Sequence, residues 1–438
     1  MRALDAAALV LPILLATGPR AHAETSVPPA PAVQEWAVDA GTTGMLVEDH
    51  RVPVVSVDLA FPAGTSGEWG RRQHLEEAFE IQMRDGKGEL RRRADLLAIE
   101  IALSAGKRST GLRLTCRKDE LVAALALVKD TLANRDFERA ELKRRQQESK
   151  LGWSASLKEP QFVLGQAGAR LLFREGDPRE RDYEKPNPVE TDAERLARTR
   201  DALIRLPGRI VGFAGDLTRD EAGLAAEGLL PAATEPLPSD AAPVFGPMTP
   251  ASERPREKTV MLKKLTQVYF AYGRDSLSYK DADWSAGEIA DHVLGGHFNS
   301  RLMIALRQEG GETYGAGVQN FGGLEPSAYG MGTFTRTENA AKTEQKLRDV
   351  LLKFRDAGIT EEERADAANF LLGRRAFDRQ APAQTLSTRM NERISGLPDS
   401  FYDTAAERAA AVPLADVNAF IRRFFDPTVF TMLKVQTP

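Results

Sequence analysis

Cysteine is almost absent from this chain, which has one cysteine, Cys116, in 438 residues. A single cysteine excludes an intrachain disulfide. Histidine is also scarce, with five residues, and neither sign of charge dominates, because 59 Lys and Arg oppose 63 Asp and Glu. A net charge of −4 gives no long-range attraction for nucleic acid or anionic lipid. The length and the 42% hydrophobic residues nevertheless provide for at least two substantial cores.

The first 23 residues have the pattern of an export signal. Arg2 precedes an apolar stretch over residues 6–16, and small residues around Ala23 offer a cleavage site. The alternative is a buried or interfacial helix, but Pro12 and the short apolar length argue against a core helix and against a membrane span. We therefore predict a signal peptide over residues 1–23 and a periplasmic or secreted mature protein.

A change of composition divides the remaining chain in two. Residues 231–257 are rich in Pro, Ala, Ser and Glu, and the spacing of the prolines prevents a persistent helix or central strand. We interpret this segment as a linker between residues 33–230 and residues 258–438. Near the start of the first half, Val55, Val57, Leu59 and Phe61 alternate with smaller or polar residues, which predicts a sheet with one buried face.

The two halves repeat one plan. In the first, a predicted strand over residues 111–116 precedes a helix over 119–134 and a further helix opening at Asp136. In the second, a strand over residues 329–335 precedes a helix over 339–357 and another opening at Thr360. Asp136 and Thr360 are predicted N-caps. Apolar strands over 209–214 and 429–435 end the two halves, so a duplicated α+β domain is the simplest account.

Three segments carry a resemblance to a known family. Residues 44–55, GMLVEDHRVPVV, precede GHFNSRL at residues 296–302, and LRQE at 306–309 is followed by Thr313 and Tyr314. This order resembles the pitrilysin/insulinase zinc metallopeptidases. The resemblance implies an α+β fold of two duplicated α/β-roll halves, each a mainly antiparallel sheet packed by helices, arranged as a clamshell. It also makes residues 33–230 and 258–438 metallopeptidase-like domains.

The zinc-binding motif of that family is degenerate here. Catalytic members carry H-x-x-E-H on a helix, where positions i and i+4 share one face and two imidazoles bind Zn²⁺. The glutamate between them activates the metal-bound water. The corresponding residues in this chain are His74, Leu75, Glu76, Glu77 and Ala78. Ala78 has no lone pair to donate, so one ligand is missing.

The third zinc ligand of the family, a glutamate on a later helix, is also predicted to be absent. Counting back from the turn at Glu159 and Pro160 leads to about Gly152, and Glu148 lies one helical turn earlier. We predict no metal in this chain and no catalytic residue, with His74 and Glu77 as remnants of the motif. The alternatives left open are a partly buried structural His74, an exposed acidic helix face that includes Glu77, and a weak metal site formed by the two.

Arg307 and Tyr314 keep the spacing of an arginine–tyrosine pair that the resembling family uses to hold substrate. A guanidinium and a phenol supply fixed donors for a peptide carbonyl. We expect Arg307 near the end of a helix, a turn at Gly310 and Gly311, and Tyr314 at the start of the next strand. The alternative is an ordinary surface arginine and a sheet tyrosine. Arg301 is predicted to be structural, paired with a nearby carboxylate.

A degenerate zinc motif together with a retained arginine–tyrosine pair resembles a non-catalytic subunit of a heterodimeric or larger zinc-dependent peptidase. A homologous partner would carry the zinc, and this chain would contribute substrate binding and cavity closure; it is not expected to be catalytic alone. One alternative is a stand-alone peptide-binding or scaffold protein. Another is an independently active zinc metalloendopeptidase with atypical ligands.

Overall fold

The computed structural model describes residues 29–80, 89–135 and 137–438. The predicted signal peptide and the predicted N-cap Asp136 lie outside these residues. None of the helices within the described ranges combines the length and the apolar character that a bilayer crossing requires.

Each half of the described chain contains one open mixed sheet. The first sheet has the order β1-β2-β6-β3-β5-β4, and all its neighbouring strands are antiparallel except β2 and β6. Its strands are β1 (Gln34–Asp39), β2 (Thr42–Glu48), β3 (Val54–Phe61), β4 (Glu100–Ala105), β5 (Thr110–Arg117) and β6 (Arg209–Gly215). The second has the order β7-β11-β8-β10-β9, with only β7 and β11 parallel. Its strands are β7 (Glu257–Met261), β8 (Gln267–Asp275), β9 (Ala316–Asn320), β10 (Ala328–Arg336) and β11 (Thr431–Gln436).

Helices cover these sheets in both halves. In the first half they are α1 (Glu68–Arg72), α2 (Leu75–Glu80), α3 (Glu89–Leu96), α4 (Leu121–Ala133), α5 (Arg139–Ser156), α6 (Pro160–Leu172), α7 (Ala193–Leu203) and α8 (Arg219–Ala226). In the second they are α9 (Trp284–Gly295), α10 (Arg301–Met303), α11 (Ala340–Ala357), α12 (Glu361–Asp378), α13 (Pro382–Ser395), α14 (Ala405–Ala410) and α15 (Leu414–Phe424). The α+β fold with one mainly antiparallel sheet in each half, predicted above, is confirmed.

The repeated plan is visible in the corresponding helices. Helices α5 and α12 both have 18 residues, and α6 and α13, which follow them, both begin with proline. Thr360 is an N-cap as predicted, because its hydroxyl accepts a hydrogen bond from the Glu363 amide in a complete capping box. In the first half the helix starts later than predicted, at Arg139.

The predicted single buried face of the first sheet is wrong. Val55, Val57, Leu59 and Phe61 do pack into a core with α2, α3, α4 and α8. The alternating residues are also buried, since Ser56, Asp58 and Ala60 point to the opposite face and are at most 8% exposed. That face is covered by α13 from the second half of the chain, whose Leu386 and Met390 pack against Met45, Val47 and Ile210.

The second sheet is covered from the first half in the same way. Ala169 and Leu172 of α6 pack near Ala328 of β10, and Leu433 of β11 lies close to Gly168. Each half therefore supplies a helix to the sheet of the other, and this exchange holds the two sheets together.

The proline-rich segment 231–257 runs along the first half without forming a helix or a strand before β7, apart from one short helical turn at Ala251–Glu253. Asp177 accepts a hydrogen bond from the Gly246 amide at 3.0 Å, and Arg179 donates to the Gly246 carbonyl at 2.6 Å. Ala241 is buried in the first core. These contacts attach the segment to the first half.

Candidate functional site

His74 does not lie on one continuous helix with Ala78, unlike the two histidines of the catalytic motif. It occupies the left-handed region of backbone conformation, with φ of 54°, between α1 and α2. Its carbonyl accepts the first hydrogen bond of α2, from the Ala78 amide at 2.9 Å. Non-glycine residues rarely adopt this conformation, and it breaks the helical periodicity on which an i, i+4 ligand pair depends.

Ala78 is fully buried in an apolar contact between helices. Its side chain packs with Phe137, with Leu142 of α5 and with Leu196 of α7. The position that a second zinc ligand would occupy is therefore filled by the packing of α2 against α5 and α7. An imidazole would not fit there without displacing these side chains.

Glu77 is buried rather than part of an exposed acidic face. Its exposed fraction is 9%, and burial raises the pKa of its carboxyl to about 7. His74 Nδ1 lies 3.9 Å from Glu77 Oε2, and burial lowers the pKa of His74. Since each environment favours the neutral form, both groups are less charged than their free counterparts near neutral pH. Their neighbours Glu76 and Glu80 are different, because both form ion pairs with Arg145 of α5.

Gly152, the position counted for the third ligand, does not line the cavity beside His74 and Glu77. Gly152 is exposed, and a Cβ atom built on it would meet no atom within 4 Å. Ser149, one helical turn before Trp153, lines the cavity beside His74 and Glu77 instead. Glu148 also lines this cavity, but its carboxylate forms an ion pair with Arg144. The α5 wall of the cavity therefore carries a serine hydroxyl and a carboxylate that is already paired with an arginine.

These residues surround a polar cavity of about 560 Å³, which we call the motif cavity. Arg145 and Arg181 project from its walls, and both are neutralised, Arg145 by Glu76 and Glu80 and Arg181 by Glu68. Across the described ranges, no three His, Cys, Asp or Glu side chains are grouped so that they could hold a metal ion. The residues present do not fit a catalytic zinc, since a buried methyl group stands in place of the second histidine and Glu148, the carboxylate that α5 brings to the cavity, is paired with Arg144.

Arg307 lies in a helical turn of wider pitch, Ile304–Gln308, that continues α10. The Glu309 amide closes this turn on the Ile304 carbonyl at 3.0 Å. Such π-type turns occur frequently at functional sites. The guanidinium of Arg307 lies over the ring of Phe298, 4.7 Å from its centroid, and it has no carboxylate partner among the residues described. Its donors are therefore available to another molecule.

Tyr314 projects into solvent with 82% of its surface exposed. It lies in a loop after Gly311, which has φ of 64°, and before β9 begins at Ala316, so the predicted position at the start of a strand is wrong. The Thr313 hydroxyl accepts a hydrogen bond from the Gly315 amide at 3.2 Å, which fixes the loop on both sides of Tyr314. The role of Arg307 and Tyr314 in substrate binding stays a prediction.

Arg301 has the structural role that the sequence predicted. Its guanidinium donates to both carboxylate oxygens of Glu363 at 2.7 and 2.8 Å, which joins α10 to the first turn of α12. Next to it, His297 stacks on His292 with ring centroids 4.3 Å apart, and His292 stacks on Phe370 at the same distance. These contacts fix the loop that carries Phe298 and hence the ring beneath Arg307.

The fold and these two surfaces define a class of protein. It is a two-half, metallopeptidase-like protein whose metal-binding positions have been replaced and whose second half keeps a partly buried arginine without a carboxylate partner among the residues described and an exposed tyrosine.

Comparison with known proteins supports this class. Residues 211–371 match the family model described as the peptidase M16 inactive domain. A curated relative, the "Non-peptidase homolog YmxG" of Helicobacter pylori, is 29% identical over 179 residues, which are 40% of this chain and 41% of the relative. The match thus spans about two fifths of that relative's length. The resemblance stated from the sequence is confirmed, and it extends to members described as inactive.

Solved structures show the same fold over nearly the whole chain. The peptidase M16 inactive domain from Pseudomonas fluorescens aligns over 93% of this chain and 98% of its own, with a TM-score of 0.77 and 17% identity. A protease from Helicobacter pylori aligns over 92% and 99%, with a TM-score of 0.73 and 14% identity. The periplasmic protease PqqL from Escherichia coli aligns over 94% of this chain but 47% of its own, with a TM-score of 0.71 and 12% identity.

Sequence reasoning missed three features of the site. Nothing in the motif signals the left-handed backbone at His74. The position of Ser149 at the motif cavity could have been inferred from Arg145, which lies four residues earlier on the same face of α5. Arg145 forms ion pairs with Glu76 and Glu80 on the helix that follows His74. The burial of Glu77 follows from α5 and α7 packing against α2, which the short motif does not encode.

Proposed function

We propose that this chain is a non-catalytic, pseudo-peptidase subunit of a zinc-dependent peptidase complex. In this proposal a homologous partner carries the zinc, and this chain closes the cavity and contributes Arg307 and Tyr314 to substrate binding. We further propose that it acts in the periplasm or outside the cell, after cleavage of the signal peptide near Ala23.

The observation that carries the proposal is a contrast between the two halves: the first has lost its metal-binding position, and the second keeps the two side chains expected to hold substrate. Ala78 is buried in helix packing, so the first half cannot bind zinc in the way that catalytic relatives do. Arg307 is held in a helical turn against the Phe298 ring and has no carboxylate partner among the residues described, and Tyr314 projects into solvent from a loop fixed by Thr313. A guanidinium and a phenol presented in this way are suited to hold a peptide carbonyl.

The length of one structural neighbour also supports a role within a larger assembly. The whole of this fold corresponds to less than half of the PqqL chain, which is described as a periplasmic protease. A protein built on this fold can thus be one part of a larger peptidase. In our proposal that larger unit forms from separate chains.

The test is purification of the full chain from its native source at endogenous levels, followed by identification of bound proteins and zinc analysis. We expect a co-purifying homologue with an intact H-x-x-E-H motif, and zinc in proportion to that homologue. A chain that purifies alone and binds peptides would instead be the stand-alone binding protein. Stoichiometric zinc in the isolated chain, with cleavage abolished by a chelator, would indicate an independent enzyme with atypical ligands.

Variants of the reconstituted complex test the two side chains. Arg307→Ala removes the guanidinium donors and Tyr314→Phe removes the phenol donor, so in each variant we expect peptidase activity to fall at least about tenfold, corresponding to about 1.4 kcal/mol. The matched control is Arg198→Ala, which removes an exposed arginine on α7 whose ion pair with Glu194 is worth little. Equal activity in all three variants would contradict the role of Arg307 and Tyr314 in substrate binding. The existence of the complex is tested separately, by co-purification.

A further inference from the structure

A second cavity, of about 440 Å³, lies between α6 and the second sheet. It is separate in its lining from the motif cavity and contains neither Arg307 nor Tyr314. Its volume falls in the range of about 300 to 1,000 Å³ that small-molecule sites occupy. We call it the sheet cavity.

The sheet cavity has an aromatic wall. The rings of Tyr269 on β8 and Phe334 on β10 stack with centroids 5.6 Å apart and an interplanar angle of 26°. Tyr183 and Phe321 also line the cavity, and Phe321 is 59% exposed at its edge. Aromatic rings arranged in this way offer both faces and edges to a further ring.

The floor of the sheet cavity is bare backbone. The register places Gly332 between Gly317 and Ala271, and places Gly330 opposite Gly273. A Cβ atom added at Gly330 would come no closer than 3.8 Å to another atom, and at Gly332 no closer than 3.4 Å. Neither glycine has a positive φ. Neither the backbone conformation nor steric crowding therefore requires glycine at positions 330 and 332. The cavity is open because these two residues have no side chain.

The equivalent contact in the first half is filled. There, α13 packs Leu386 and Met390 against Met45 and Val47, and a Cβ atom added at Gly212 would meet Met390 Sδ at 2.9 Å. Protein interiors are packed as densely as organic crystals, and a void of this size forfeits dispersion contacts along its whole lining. The two halves thus use the same architecture, and of these two contacts between a sheet and a helix only the second leaves a cavity.

The absence of charged residues from the cavity lining indicates which kind of ligand the sheet cavity can bind. Among the described residues that line the sheet cavity, none carries a charge, and the longer polar side chains are the neutral amides of Gln161 and Gln319. A charged ligand would lose its hydration without gaining a counter-ion. A flat ring, by contrast, would lie against the glycine backbone and next to the Tyr269 and Phe334 rings.

We propose that the sheet cavity binds a neutral aromatic ring. The ring belongs either to a free small molecule or to an aromatic side chain of a bound peptide. This site does not depend on a zinc-bearing partner, so it can be tested on the chain alone.

The experiment uses the neutral, polarity-sensitive dye prodan as the probe and the full chain as the receptor. We expect saturable binding at one site per chain, with displacement by indole. To distinguish the two sources, the competitors acetyl-Ala-Trp-Ala-amide and acetyl-Ala-Ala-Ala-amide are compared. Displacement by indole alone identifies a free molecule, and displacement by the tryptophan peptide as well identifies a peptide side chain. Equal displacement by the alanine peptide would overturn the proposal.

Filling the cavity provides the decisive variant. Gly332→Val places a branched side chain where there is room for its Cβ, and valine favours strands, so the thermal midpoint should not fall while prodan affinity drops at least about tenfold. Gly330→Val is a second variant of the same kind, in case the first fails to fold. The control is Gly373→Val on α12, which also adds a side chain in open space and lies outside the sheet cavity. Unchanged affinity in a folded Gly332→Val or Gly330→Val protein, or equal loss in the control, would refute the proposal.

Discussion

Restoring the missing histidine should not restore zinc binding, and the variant Ala78→His tests this directly. Ala78 is 0% exposed and packs against Phe137, Leu142 and Leu196. Overfilling a packed core costs about 1 to 3 kcal/mol, and a buried imidazole without a partner adds about 1 to 3 kcal/mol. We therefore expect a loss of about 2 to 6 kcal/mol of stability, or a thermal midpoint lower by roughly 4 to 24 °C, at about 2 to 4 °C per kcal/mol.

Two assays measure the outcome. Thermal unfolding followed by circular dichroism gives the change in stability, and elemental analysis after dialysis against zinc gives the metal content. Ala78→Leu separates volume from polarity, because it adds a comparable volume without a polar group and should lose the smaller part of the stability. Glu76→His is the matched control on the same helix, since Glu76 is exposed and loses only its ion pair with Arg145.

The reasoning also depends on the backbone at His74. With φ of 54°, His74 is not part of the helical face that would carry a histidine at position 78. An Ala78→His protein that keeps the wild-type unfolding midpoint and binds one zinc per chain would refute the argument. It would mean that one substitution alone disabled an otherwise intact site.

Three further predictions concern stability. Thr360→Ala removes the capping box with Glu363 and should lower stability by about 1 kcal/mol in urea unfolding, and an unchanged midpoint would contradict the cap. Burial raises the pKa of Glu288 to about 7, so its contribution to stability is complete below its unfolded pKa of 4.5 and is lost as pH rises through 7. Glu288→Gln should therefore be more stable than wild type at pH 8, by at most about 3 kcal/mol. A stabilisation seen at pH 5 and not at pH 8 would contradict the raised pKa. Tyr329→Phe removes the hydroxyl that donates to buried Asp291 at 2.8 Å and should cost about 1 to 3 kcal/mol by differential scanning calorimetry; a neutral effect would show that Asn320 alone satisfies the carboxylate.

Strands and caps could be predicted from the sequence because their signals are local. The predicted strand over residues 329–335 is observed as Ala328–Arg336, and Thr360 caps its helix because a glutamate three residues later completes the box. The helix predicted to open at Asp136 begins instead at Arg139, where no side chain caps the amide groups. A boundary without a cap has no local signal to reveal it.

The features of the site that were mispredicted depend on distant parts of the chain. Ser56 and Asp58 were assigned to an outer face because polar residues alternate with apolar ones, but α13 covers them, and Arg113 pairs with Asp58 at 2.6 Å. The loss of the second ligand at Ala78 could be predicted, since the motif itself records it. The residues of α5 that line the cavity could not be predicted. Counting from Glu159 and Pro160 gave Gly152, whereas Ser149 lines the cavity.

The exchange of α6 and α13 between the halves has a consequence for how this chain acquires its structure during synthesis. The first sheet can form once β6 has been made, but one of its faces stays uncovered until Leu386 and Met390 emerge near the end of the chain. The apolar residues Met45, Val47 and Ile210 are therefore exposed during most of the translation of the second half. Intermediates with such surface are prone to aggregate, and neither half is expected to be soluble when it is produced without the other.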